Sequence, residues 1–264
     1  MNRRDFLNTT TLGVPAISLP LFKELPTNPK PSARKLFAYG GEFDRGFIKY
    51  VASLTGKNNP KVCFLPTATG DAPGYVMRWF EICAGLPILP YVQRSFISSY
   101  SQKQSFEEIF TSMDAILVGG GNTLNMMAIW KAQGMDIALR KAYENGVLLG
   151  GGSAGSLCWF EQGTTDSRPG KLTTVEGLGF ISASHSPHYD GESERKPLYM
   201  SKIKSGEYKA GYACDNKAGI YFENEKVKQV VSLDQKSNAY FVSLTGVEVK
   251  ETVLQKIVLP PAWP

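Results

Sequence analysis

The residues best placed to do chemistry lie in GVLLGGGSAGSLCWF, residues 146–160. An apolar run enters a glycine cluster, Ser153 follows, and small residues lead into a second apolar stretch. The pattern predicts a buried strand, a tight turn with Ser153 at its apex, and a helix leaving it. Gly151-x-Ser153-x-Gly155 is the G-x-S-x-G spacing of a nucleophile elbow. A side chain at such an apex needs small neighbours, because strand and helix cross closely. The helix start also turns free N–H groups toward a developing oxyanion. The same glycines would equally suit a tight turn that only packs or binds phosphate.

A serine hydroxyl needs a base near neutral pH. The chain has two histidines, His185 and His188, both in ISASHSPHYD at 181–190. If the base is a histidine, it is one of these. Asp166, Glu161 or Asp190 could orient the ring, and Asp166 would preserve the order serine, acid, histidine. Two N–H groups would complete an oxyanion hole, one from Ala154 and one from Gly120 or Gly121, where the backbone meets substrate without a Cβ in the way.

The elements that must position these groups alternate. Apolar strands are expected at 36–39, 61–65, 87–97, 115–118 and before Ser153. Helical patterns fall at 45–54, 74–84, 105–113, 124–133 and 136–145, and a further strand at 177–181 precedes the histidines. This predicts an α/β three-layer sandwich with a mostly parallel central sheet covered on both faces. The strand ends at Gly40-Gly41, residues 119–122 and residues 150–153 should converge on one cleft. After about residue 207 the chain becomes β-rich, an antiparallel extension of the same domain.

Composition narrows the function further. Of 29 basic and 24 acidic residues, six basic and two acidic fall within residues 1–35, leaving 23 and 22 in a nearly neutral body. That argues against a nucleic-acid partner. No stretch reaches the ~18 apolar residues of a spanning helix. Cys63, Cys83, Cys158 and Cys214 are widely spaced without C-x-x-C, and read as core residues. No metal-ligand cluster and no cofactor motif is visible. Residues 1–34 read as an export signal and linker. Arg3-Arg4 before Asp5-Phe6-Leu7 resembles a twin-arginine signal, and a proline-rich stretch follows. This predicts an exported, periplasmic protein, the alternative being an incidental basic start on a cytoplasmic one. Residues 35–264 are the expected folded domain.

VGGGNT at 118–123, GGSAGSLCWFEQGTTDS at 151–167 and GLGFISASHSPHYD at 177–190 resemble the peptidase E (aspartyl dipeptidase) and cyanophycinase family of serine peptidases. FLPTAT at 64–69 is similar too. The resemblance implies a fold related to class I glutamine amidotransferases. It implies Ser153 as nucleophile, His188 of the P-H-Y motif as base, and Asp166 in the T-D-S turn as third member. Gly120, Gly121 and Ala154 match the oxyanion region, and Asn122 and Thr123 the adjacent substrate-binding turn. Thr123 leans toward peptidase E, where an arginine beyond the histidine reads an amino-terminal aspartate. Arg195 in GESER is the counterpart, with a solvated surface charge as the plain alternative. The expected activity is hydrolysis of short peptides, with Asp-X dipeptides foremost. A cyanophycinase-like hydrolase of β-aspartyl-arginine, an α/β-hydrolase esterase and a non-catalytic peptide binder are the alternatives.

Overall fold

Strand residues that alternate between two apolar neighbours build a sheet buried on both faces. The computed structural model describes residues 32–97 and 99–261, so the leader read from residues 1–31 lies outside the described residues. The first half runs β1 (Lys35–Tyr39), α1 (Arg45–Leu54), β2 (Lys61–Leu65), α2 (Pro73–Cys83), β3 (Leu89–Val92), α3 (Phe106–Thr111), β4 (Ala115–Val118), α4 (Thr123–Gln133), α5 (Met135–Glu144) and β5 (Leu148–Gly152). Then come α6 (Ala154–Leu157), β6 (Phe160–Thr165), β7 (Thr173–Glu176), β8 (Ile181–Ser186) and α7 (Arg195–Lys204). The chain closes with β9 (Gly211–Cys214), β10 (Ala218–Glu223), β11 (Lys226–Ser232), β12 (Ala239–Thr245), β13 (Glu248–Val253) and β14 (Ile257–Val258).

Eight strands form one sheet in the order β14-β11-β10-β1-β5-β4-β2-β3, parallel from β1 to β3. Phe37, Phe64, Leu117 and Leu148 face α1 and α2, packing with Phe47, Val51 and Trp79. Leu36, Cys63, Ile116 and Leu149 face the other way, against Phe110, Trp130 and Leu139 of α3, α4 and α5. Asp44 starts α1 by accepting from the Gly46 N–H at 2.7 Å, and Ser105 and Glu108 cap α3 reciprocally.

The β-rich tail is divided rather than added as one block. β10, β11 and β14 extend the main sheet beyond β1, while β9, β12 and β13 join a second sheet, ordered β13-β12-β9-β8-β6-β7. Its β6, β8 and β9 are parallel, and Phe160, Ile181 and Ala183 pack into the core beneath the main sheet. Two local expectations differ from the outcome. The helix after Ser153 is only four residues long, because the chain turns at Cys158 into β6. The strand expected at 177–181 begins only at Ile181. Before it, the N–H groups of Gly177, Leu178 and Gly179 are taken by carbonyls of Glu161, Cys158 and Phe160, and Gly179 sits at φ 62°. Among the described residues, no helix is long and apolar enough to cross a membrane.

Candidate active site

The three glycine turns do converge. A Cβ on Gly152 would lie 2.0 Å from the Gly41 carbonyl, and one on Gly120 3.1 Å from the Ser153 Cβ. Ser153 sits at φ 54°, ψ −122°, a conformation that costs a non-glycine residue about 1–3 kcal/mol and needs its surroundings to hold it. Gly155 is part of that hold. A side chain there would lie 2.0 Å from the Val118 carbonyl, so α6 can cross β4 this closely only on glycine. The sharp turn leaves the Ser153 hydroxyl facing the mouth of the sheet instead of its core.

His188 follows β8, past Pro187, at φ 51°. Its N–H donates to the Gly40 carbonyl at 3.2 Å, which fastens this loop to the end of β1. Its Nε2 is 2.8 Å from Ser153 Oγ, and its Nδ1 is 2.5 Å from Asn216 Oδ1. An amide oxygen only accepts, so Nδ1 carries the proton and Nε2 presents its lone pair to the serine hydroxyl. That tautomer is the one a general base requires.

Asp166 does not take the third position. It lies exposed just past β6, with no hydrogen bond among the described residues, because the chain there is oriented by its neighbours. Thr165 and Ser167 turn toward α4: Ser167 Oγ accepts from the Thr123 N–H at 2.9 Å, and its carbonyl accepts from Asn122 Nδ2 at 3.0 Å. Glu161 is held by Lys209 at 2.7 Å. Asp190 accepts from the Asn216 N–H at 2.8 Å, one step removed from the ring. Asn216, in the turn between β9 and β10, escaped a search limited to carboxylates. A turn asparagine serves as the orienting group in cysteine peptidases as well. No sequence signal marked it; in the fold, Gly191 makes room for its amide, since a Cβ there would stand 2.5 Å from Asn216 Nδ2.

The N–H groups of Gly119 and Asn122 are taken by the carbonyls of Leu65 and Ala68. Those of Gly120 and Gly121, lying between them, and of Ala154, at the start of α6, have no such acceptor among the described residues. Asn122 itself caps α4, accepting from the Asn125 N–H at 2.9 Å, and Thr123 is buried. Both are occupied in holding the turn, not in facing substrate.

Arg195 is not a solvated charge, and it does not reach toward a substrate. It is 1% exposed, donates to the Thr164 carbonyl at 2.8 Å and grips the Glu192 carboxylate through Nε and Nη2. Replacing it with alanine strands the buried Thr164 carbonyl, a loss of about 2–3 kcal/mol. Thermal unfolding should show Tm lower by roughly 5–10 °C, with KM for any peptide unchanged in the folded fraction.

His185 is fully buried. Burial, aided by the Arg195 guanidinium, lowers its pKa to about 3. It is neutral and fully enclosed, whereas His188 is only part-buried. Beside the glycine turn, a cleft of about 590 Å³ is bounded by Leu124, Lys131, Arg168, Glu176, Glu207 and Tyr208. Leu124, in the first turn of α4, and Arg168, next to Ser167, link it to the glycine turn, while Ser153, His188 and Asn216 do not line it.

A serine on a strained elbow, bonded to a correctly protonated histidine beside free N–H groups, is the constellation of acyl transfer. The model for peptidase family S51 matches residues 40–230. The chain belongs to peptidase family S51. It is therefore a serine peptidase, and the esterase and binder alternatives fall away. An uncharacterized peptidase, YgaJ, of Bacillus subtilis (strain 168) is 40% identical over 206 residues, covering 78% of this chain and 88% of that one. Two solved structures are similar in fold. One is a putative peptidase E protein from Listeria monocytogenes EGD-e (TM-score 0.57, 22% identity, 77% of this chain and 100% of that one). The other is a peptidase from an acI-B1 Actinobacterium (TM-score 0.65, 15% identity, 85% and 95%). Both likenesses bear on the fold alone, and they agree with the expected α/β sandwich around a mostly parallel sheet.

Proposed function

We propose that this S51 peptidase hydrolyses short peptides through an acyl-enzyme on Ser153. The observation that carries this reading is the 2.8 Å contact between Ser153 Oγ and His188 Nε2 at a strained elbow. Ser153 Oγ attacks the scissile carbonyl as its proton passes to His188 Nε2, and Asn216 keeps the ring in register. The N–H groups of Ala154 and of Gly120 or Gly121 receive the tetrahedral oxyanion. His188 then returns the proton to the leaving amine. Water repeats the sequence and frees the serine.

An acidic residue ahead of the scissile bond remains the favoured specificity, with its carboxylate read by Arg168 and Lys131 of the neighbouring cleft in place of Arg195. Arg168 is exposed and leaves guanidinium donors free beyond its bonds to Thr173 and Thr174. A second reading, hydrolysis of β-aspartyl-arginine, is favoured by Glu176 and Glu207 in the same cleft, which suit a substrate guanidinium.

A panel of Asp-X, Glu-X and neutral dipeptides with β-Asp-Arg separates the two. Asp-X turnover whose KM rises about tenfold in Arg168→Ala, the value of one charged hydrogen bond, supports the first reading. Turnover of β-Asp-Arg alone moves the assignment to the second. Equal cleavage of neutral dipeptides, indifferent to Arg168, ends the acidic assignment.

A further inference from the structure

Two buried polar side chains lie directly behind the elbow and make none of the contacts among Ser153, His188 and Asn216. His185 is 0% exposed and stacks on Phe160 with ring centroids 4.4 Å apart. Its Nδ1 is 3.1 Å from the Tyr212 carbonyl, which only accepts, so Nδ1 carries the proton. Its Nε2 is 2.9 Å from Ser156 Oγ, and that oxygen is also 2.8 Å from the Ser153 carbonyl.

Ser156 therefore has one proton and two acceptors within reach. The Ser153 carbonyl already receives the N–H groups of Ser156 and Leu157, each at 3.0 Å. Among the described residues, the His185 Nε2 has no other donor. With the ring neutral, placing the hydroxyl proton on Nε2 leaves no buried acceptor bare.

The position of this bond gives it its meaning. Ser153 leaves β5 of the eight-stranded sheet, and His188 leaves β8 of the six-stranded one. Their contact depends on how the two sheets are set against each other. Ser156 lies three residues after Ser153, and His185 three residues before His188. The buried bond thus spans the same boundary as the catalytic pair, one turn or one strand step behind it. Apolar contacts there hold the elements together without direction, whereas a hydrogen bond sets a distance to a fraction of an ångström.

We propose that Ser156 and His185 are positioning residues, whose bond ties α6 to β8 and so keeps the Ser153 hydroxyl within reach of His188. This inference rests on Ser153 and His188 being nucleophile and base.

The test uses the full chain and four variants: Ser156→Ala, His185→Gln, the double change Ser156→Ala with His185→Phe, and Ser153→Ala as control. The readouts are Tm, the rate of labelling by a fluorophosphonate probe, and kcat and KM on the best dipeptide. The double variant strands no polar atom, since the Tyr212 carbonyl keeps the Tyr199 hydroxyl at 3.3 Å, and its Phe side chain can stack on Phe160. It is expected to fold, with KM within about twofold and with kcat and labelling slower by about 10- to 100-fold, the scale of a small misplacement of reacting groups. Ser156→Ala should show the same loss of kcat. His185→Gln, which returns an acceptor to Ser156, should recover most of that rate.

Wild-type kcat and labelling in the double variant overturn the proposal. So does a Gln variant no better than the double one. If Ser153→Ala labels as fast as the wild type, the nucleophile assignment itself fails and this inference falls with it. A wild type that labels only through Ser153, beside an unimpaired double variant, removes the positioning role alone.

Discussion

Replacing Ser153 with alanine should lower kcat by at least about 10⁴-fold, roughly 5.4 kcal/mol of transition-state stabilisation. The loss is large because no other group on the elbow can form the acyl bond. The flanking residues are Gly152 and Ala154, and Ser156 is buried with its hydroxyl committed to His185 and the Ser153 carbonyl. The fold should survive. The change removes one half-buried hydroxyl, and alanine meets the same backbone strain at φ 54° that serine does. The check is steady-state hydrolysis of the best dipeptide with Tm measured alongside. Binding should persist, because Gly120, Gly121 and the neighbouring cleft are untouched. A variant that keeps a tenth of wild-type kcat would move the nucleophile elsewhere.

The second large effect is expected at His188. His188→Gln should reduce kcat by about 10³- to 10⁴-fold, since the hydroxyl then lacks a base to take its proton. Steady-state hydrolysis of the best dipeptide checks this, and a variant within tenfold of wild-type kcat would move the base elsewhere. His185 cannot stand in as base, because it is fully buried, burial lowers its pKa to about 3, and its Nε2 is engaged by Ser156. Asn216 should matter less. Asn216→Ala removes one hydrogen bond to the ring, worth about 10- to 100-fold. Asn216→Asp keeps the acceptor, supplies a charge for the imidazolium, and should retain or exceed wild-type kcat. A severe loss in Asn216→Asp would mean that the ring is oriented by something other than this bond.

Much of the site was legible because its constraints are local. The elbow follows from glycines at 151, 152 and 155 around Ser153, and the structure explains them by close approaches that admit no Cβ. The parallel half of the main sheet could be read from short apolar runs separated by amphipathic helices, since each of those strands is buried on both faces. His188 over His185 followed from the P-H-Y motif. The structure gives the physical reason: one ring reaches the mouth of the sheet, and the other lies under it in the core.

What sequence could not decide depends on contacts between distant segments. Asn216 meets His188 across 28 positions of sequence, and nothing in a turn asparagine announces that partner. Asp166 and Arg195 had the right residue types and chain order, yet backbone direction turns the first to solvent and Glu192 with Thr164 encloses the second. The C-terminal strands carry the same alternation whichever sheet they join, so their division between two sheets had no local signature. Local sterics and periodicity were enough for the elbow and the parallel strands, and the P-H-Y resemblance singled out His188 from the two histidines. The contact of Asn216 with His188, the burial of Arg195 against Thr164 and the tie between Ser156 and His185 were decided only in the tertiary structure, because each is a distance between segments far apart in the chain that no sequence spacing encodes.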